Sequence, residues 1–123
     1  MSIVLNIVVG FIALSHVGFL VLEMFLWDKP AGLKIFDNDS ETGKKYAESS
    51  KILAANQGLY NGFLAAGLFW GLSLGASGTS VKVFFLCCVL IAGLYGAASN
   101  RKLTILLIQA MPAALGLALV FLS

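Results

Sequence analysis

Charge is what this chain has least of. Only 11 % of its 123 residues are Asp, Glu, Lys or Arg, against about 25 % in a typical soluble domain. An ordinary soluble globule is excluded, and the 59 % hydrophobic content and mean hydropathy of +0.94 say the same. No block of like charges is present and the net charge is only +2, so nothing tracks a phosphate backbone and no nucleic-acid partner is expected. Cysteine is limited to the adjacent Cys87 and Cys88 in an apolar run, which is neither a disulfide framework nor a metal spacing. The pair reads as two small apolar side chains in a helix. Histidine occurs once, at His16. With both cysteines remote in sequence, no metal set and no cofactor motif can be assembled. A cleavable leader is not expected either, because the first apolar run has no basic flank and is too long for a signal core.

What is abundant is uninterrupted apolar sequence. Four segments, near 3–27, 52–74, 81–99 and 103–122, each approach or exceed the roughly 20 residues that cross about 30 Å of hydrocarbon. They do not alternate polar and apolar as barrel strands would, so helices are the spanning form. The expected fold is all-α: one domain over 1–123, an integral membrane bundle of four transmembrane helices. Residues 28–51 form a loop with most of the charge. Pro30 and Gly32 should break the chain after the first helix. From about Thr42 the sequence turns helix-compatible and leads into the second span without a breaker. Gly75–Ser80 is a short small-residue connection, and Asn100-Arg101-Lys102 a tight turn.

Basic residues set the orientation. Lys29, Lys34, Lys44, Lys45, Lys51, Arg101 and Lys102 fall on one side and Lys82 alone on the other. Seven against one puts loops one and three in the cytoplasm and both termini on the outer side.

Polar groups inside spans are expensive, so each is a functional candidate. The first span holds Asn6, His16 and Glu23. The last two are seven apart and so within about 20° of one face. The second span holds Asn56, Gln57, Tyr60 and Asn61, paired at four-residue spacing. Gly67, Gly71 and Gly75 continue that face, and Gly58 and Gly62 lie on the opposite side. Such glycines let neighbours approach closely, within the bundle or across a homodimer. By depth, Glu23, Asn56, Gln57 and Tyr60 fall near the cytoplasmic end, with Tyr95 and Gln109 in the same half and His16 and Asn61 near mid-membrane. The expected site is a polar pocket in the cytoplasmic half, bound by His16, Glu23, Asn56, Gln57, Tyr60, Asn61, Tyr95 and Gln109. The alternative is a purely structural hydrogen-bond network.

Several blocks match one known pattern. These are Leu22-Glu23-Met24-Phe25-Leu26-Trp27 with Pro30, Lys34 and Phe36; the run from Ala54 to Gly67, centred on Asn56-Gln57-Gly58-Leu59-Tyr60-Asn61-Gly62; Ala92-Gly93-Leu94-Tyr95-Gly96-Ala97; and Gln109-Ala110-Met111-Pro112-Ala113. Together they span essentially the whole chain, which resembles the bacterial membrane family called domain of unknown function 1304. The resemblance implies a small four-helix protein of the bacterial cytoplasmic membrane and no established activity. It does not choose among functions.

Three functions remain open. One is binding or transport of a small hydrophobic or amphipathic molecule, with Glu23 as the titratable group; transport through four short helices would need a homodimer. Another is a membrane enzyme acting on a hydrophobic substrate, with His16 or Glu23 as acid–base and the amides holding developing charge. The third is a structural subunit without a ligand.

Overall fold

The structure is a computed structural model and describes residues 2–122. Every regular element among them is helical. In order they are α1 (Ser2–Met24), α2 (Pro30–Ile35), α3 (Glu41–Ser73), a 3-10 turn (Gly75–Gly78), α4 (Thr79–Asn100), α5 (Leu103–Ile105), a π-helical turn (Leu106–Ala110) and α6 (Met111–Phe121). Three stretches are long and apolar enough to cross a membrane: Ile3–Met24, Gly75–Asn100 and Leu103–Phe121. The expected second span, 52–74, lies in the 33-residue α3. Its apolar half is diluted by Asn56, Gln57, Tyr60 and Asn61, and its first turns are charged.

The chain divides into two compact units, Met1–Leu14 with Leu64–Ser123, and Ser15–Phe63. The first has an aliphatic core of Leu5, Val9, Ile12, Ala13, Leu68, Leu86, Val89 and Ala113. Its close approaches are made at glycines. A Cβ on Gly93 would lie 2.6 Å from the Ala110 backbone nitrogen, and one on Gly67 would enter the Phe85 ring. The π turn precedes Pro112, which cannot donate to the helix ladder and whose ring crowds the carbonyl four residues earlier. Widening the turn, with the Met111 N–H bonded to the Leu106 carbonyl, lets the helix continue through that position. The tight turn after α4 places Arg101 in the left-handed region at φ 52°, and the Lys102 N–H closes on the Ala97 carbonyl at 3.1 Å.

The second unit, Ser15–Phe63, contains the charged loop. The α1 helix stops at Met24, three residues before the expected end at Trp27. Pro30 bars helix immediately upstream of itself but starts α2, its missing N–H being no loss at a first helical position. Gly32 is required there, because a Cβ would lie 1.8 Å from the Leu26 carbonyl oxygen. Ser40 caps α3: its Oγ accepts from the Gly43 N–H at 3.0 Å. Replacing Ser40 by alanine should cost about 1 kcal/mol, the usual worth of such a cap, measurable as a lower unfolding midpoint in detergent.

Candidate functional site

The site is built where the last turns of α1 meet α3. Small residues make the approach possible. A Cβ on Gly58 would fall 2.8 Å from Met24 Cγ and 3.0 Å from Glu23 Cβ, and one on Gly62 would fall 2.5 Å from Leu20. Ala47, Ala54, Gly58 and Asn61 are the buried positions along this half of α3, at helical spacing. With the helices this close, the Asn61 amide donates to the Glu23 carboxylate, Nδ2 to Oε1, at 2.5 Å. This corrects two expectations. Gly58 and Gly62 do not lie opposite the polar side chain that matters; they share its side of α3, because backbone proximity selects the interface. Asn61, expected level with His16, is bonded to Glu23, two turns further along α1.

Flanking contacts hold the end of α1 in place. The Trp27 indole donates from Nε1 to Ser50 Oγ at 3.1 Å and packs on Phe36 and Tyr46, with ring centroids 4.8 and 6.5 Å apart. Lys51 Nζ meets Asp28 at 3.2 Å. This hydrogen bond holds the half-buried Asp28 carboxyl below its ordinary value, so its small contribution is present above the normal carboxylate range and fades as pH falls.

The other expected site residues are placed variously. His16 is buried, its ring edge-on to Phe19 with centroids 5.1 Å apart. Asn56, Gln57 and Tyr60 are exposed. Asn56 and Tyr60 stand on the side of α3 away from the Ala54, Gly58 and Asn61 line, and Gln57 on its flank. Glu23 therefore reaches the second expected span through Asn61. Tyr95 and Gln109 belong to the other compact unit, Tyr95 at 75 % exposure and Gln109 half-buried in the π turn. That unit also holds a groove of about 630 Å³ between Ile7, Val8 and Phe11 of α1 and Leu107, Met111 and Leu115. Its walls are apolar, unlike the polar pocket expected. Among the described residues no group of three His, Cys, Asp or Glu could hold a metal ion. Sequence reasoning missed one polar pair, the buried Lys82 bonded to Asn6. Lys82 had counted only as a marker of orientation; its place one turn inside an apolar helix was the available signal.

Comparison with known proteins agrees with the resemblance read from the sequence. A curated relative, "Uncharacterized protein YpaA" of Lactococcus lactis subsp. lactis (strain IL1403), is 28 % identical over 108 residues, covering 86 % of this chain and 85 % of its own. No solved structure matches the chain at a significant level. The family profile described as "Protein of unknown function (DUF1304)" matches residues 10–121, and with nearly the whole chain matched, the protein belongs to that family.

Proposed function

We propose that this is a four-span protein of the bacterial cytoplasmic membrane, with both termini outside, that binds a small amphipathic or lipid-like molecule at Glu23 in the cytoplasmic half. The observation that carries the reading is the Asn61–Glu23 hydrogen bond. A carboxylate and an amide placed within apolar helical segments are costly unless they serve one another or a ligand. Asn61 occupies one carboxylate oxygen. The other remains an acceptor for a head group that donates hydrogen bonds or carries positive charge. Leu20, Met24 and nearby aliphatics form the apolar wall, and the exposed Gln57 amide stands one turn nearer the cytoplasm as a second contact. Such a mix of apolar wall and few polar groups is what small-molecule sites use.

Melting of the purified protein against phospholipids, quinones and hydrophobic cations tests the reading. At least one class should raise the melting temperature of the wild type and not of Glu23→Gln. Shifts that are equal in the two proteins, or absent for every class, contradict it.

The topology has its own test. A cysteine introduced at Asp39 should resist membrane-impermeant thiol reagents in intact cells and react after the membrane is opened. Labelling from outside would reverse the orientation.

A further inference from the structure

Lys82 is a cation in an apolar setting. It is 5 % exposed, in the first turn of α4, and its Nζ donates to Asn6 Oδ1 at 3.1 Å. Its stem is held against α3 at Gly71, where a Cβ would come 2.9 Å from Lys82 Cγ. The side chain is thus fixed inward instead of extending to water as a free lysine near a membrane surface does. An ammonium has three donors, and Asn6 accepts one. Among the described residues no carboxylate lies within ion-pair reach of it, and no acidic residue occupies the first turn of α4. The helix terminus therefore adds to the positive potential. A buried charge without a counter-charge is strongly unfavourable.

We propose that Lys82 and Asn6 form a site for an oxyanion, the phosphate or carboxylate of an anionic amphiphile or of a free anion. Asn6 Oδ1 is taken by Lys82, which leaves the Asn6 NH2 to donate outward beside the remaining ammonium protons. Two donors side by side match two oxygens of one phosphate or carboxylate. Asn6 is itself exposed, so the pair is reachable from its side. Gly10, one turn further along the same face of α1, has nothing within 4 Å of where a Cβ would stand. That strip of open helix surface accommodates the chain that follows a lipid head group. Asn6 lies about one turn inside the Ile3–Met24 stretch and Lys82 about two turns inside the Gly75–Asn100 stretch, toward the ends of those stretches, where a lipid head group would sit. This site is separate from Glu23 and does not depend on the reading given for it.

The test uses the full chain in nanodiscs of neutral phosphatidylcholine, with and without phosphatidylglycerol, and separately with and without inorganic phosphate at constant ionic strength. Phosphatidylglycerol, phosphate or both should raise the melting temperature of the wild type. The lipid arm alone responding identifies a head group, and the phosphate arm responding identifies a free anion. In Lys82→Met, native mass spectrometry should show anion retention weakened on the order of tenfold, the worth of one charge-assisted contact. The Lys82-dependent part of the melting shift should vanish. Seven other basic residues also attract anionic lipid, so it is the difference between wild type and Lys82→Met that counts. If Lys82→Met does not fold, Asn6→Asp decides, because its built-in carboxylate should satisfy Lys82 and abolish the response to added anion. A response of equal size in the wild type and either variant, or no response in the wild type, overturns the proposal.

Discussion

Gly93→Ala should destabilise the protein by about 2–3 kcal/mol, the upper range for forcing a methyl into a closed contact. The obstruction is backbone: the new Cβ would sit 2.6 Å from the Ala110 nitrogen and 3.0 Å from its Cα. A flexible side chain could swing aside, but the Ala110 backbone closes the π turn and cannot move alone. Gly10→Ala is the control. Nothing lies within 4 Å of its Cβ position, and alanine is the better helix former by up to about 1 kcal/mol. That variant should be neutral or slightly stabilising. Unfolding midpoints of both variants in one detergent would check the contrast, and equal midpoints would show that α4 does not approach the π turn as described.

The second large effect is expected at Asn61. Alanine there removes the donor and leaves the half-buried Glu23 carboxylate without it, at a cost of about 2 kcal/mol. Glu23→Gln keeps an acceptor facing Asn61 and should cost less than about 1 kcal/mol. The combined Glu23→Gln, Asn61→Ala protein should be more stable than the sum of the two single losses implies, because its orphaned group is no longer a carboxylate. Strict additivity would mean that the two side chains do not interact.

The helical class was legible because apolar runs of spanning length leave few alternatives. Their ends were less so. The pattern carried the first span on to Trp27, yet the helix stops at Met24, and Trp27 packs on Phe36 and Tyr46 instead of continuing the helix. The engagement of Glu23 with the second expected span could be read from helical facing and position along the chain. Asn61 as the partner could not. Counting polar residues on a wheel favours the side with most amides, whereas the approach is made along Ala54, Gly58 and Asn61, where side chains are small. The π turn was signalled only by Pro112 in mid-span, and Lys82 only by its place within an apolar run. Both signals are single residues whose meaning depends on what lies across from them.

Equilibrium binding of tetraphenylphosphonium, a hydrophobic cation, to the purified protein tests the central claim most directly. The wild type should bind it saturably, and Glu23→Gln should bind at least about tenfold more weakly, the loss of one charge–charge attraction in an apolar site, while still folding. Binding of equal strength in Glu23→Gln, or no saturable binding to the wild type by this or any probe that raises its melting temperature, would contradict a binding site centred on Glu23.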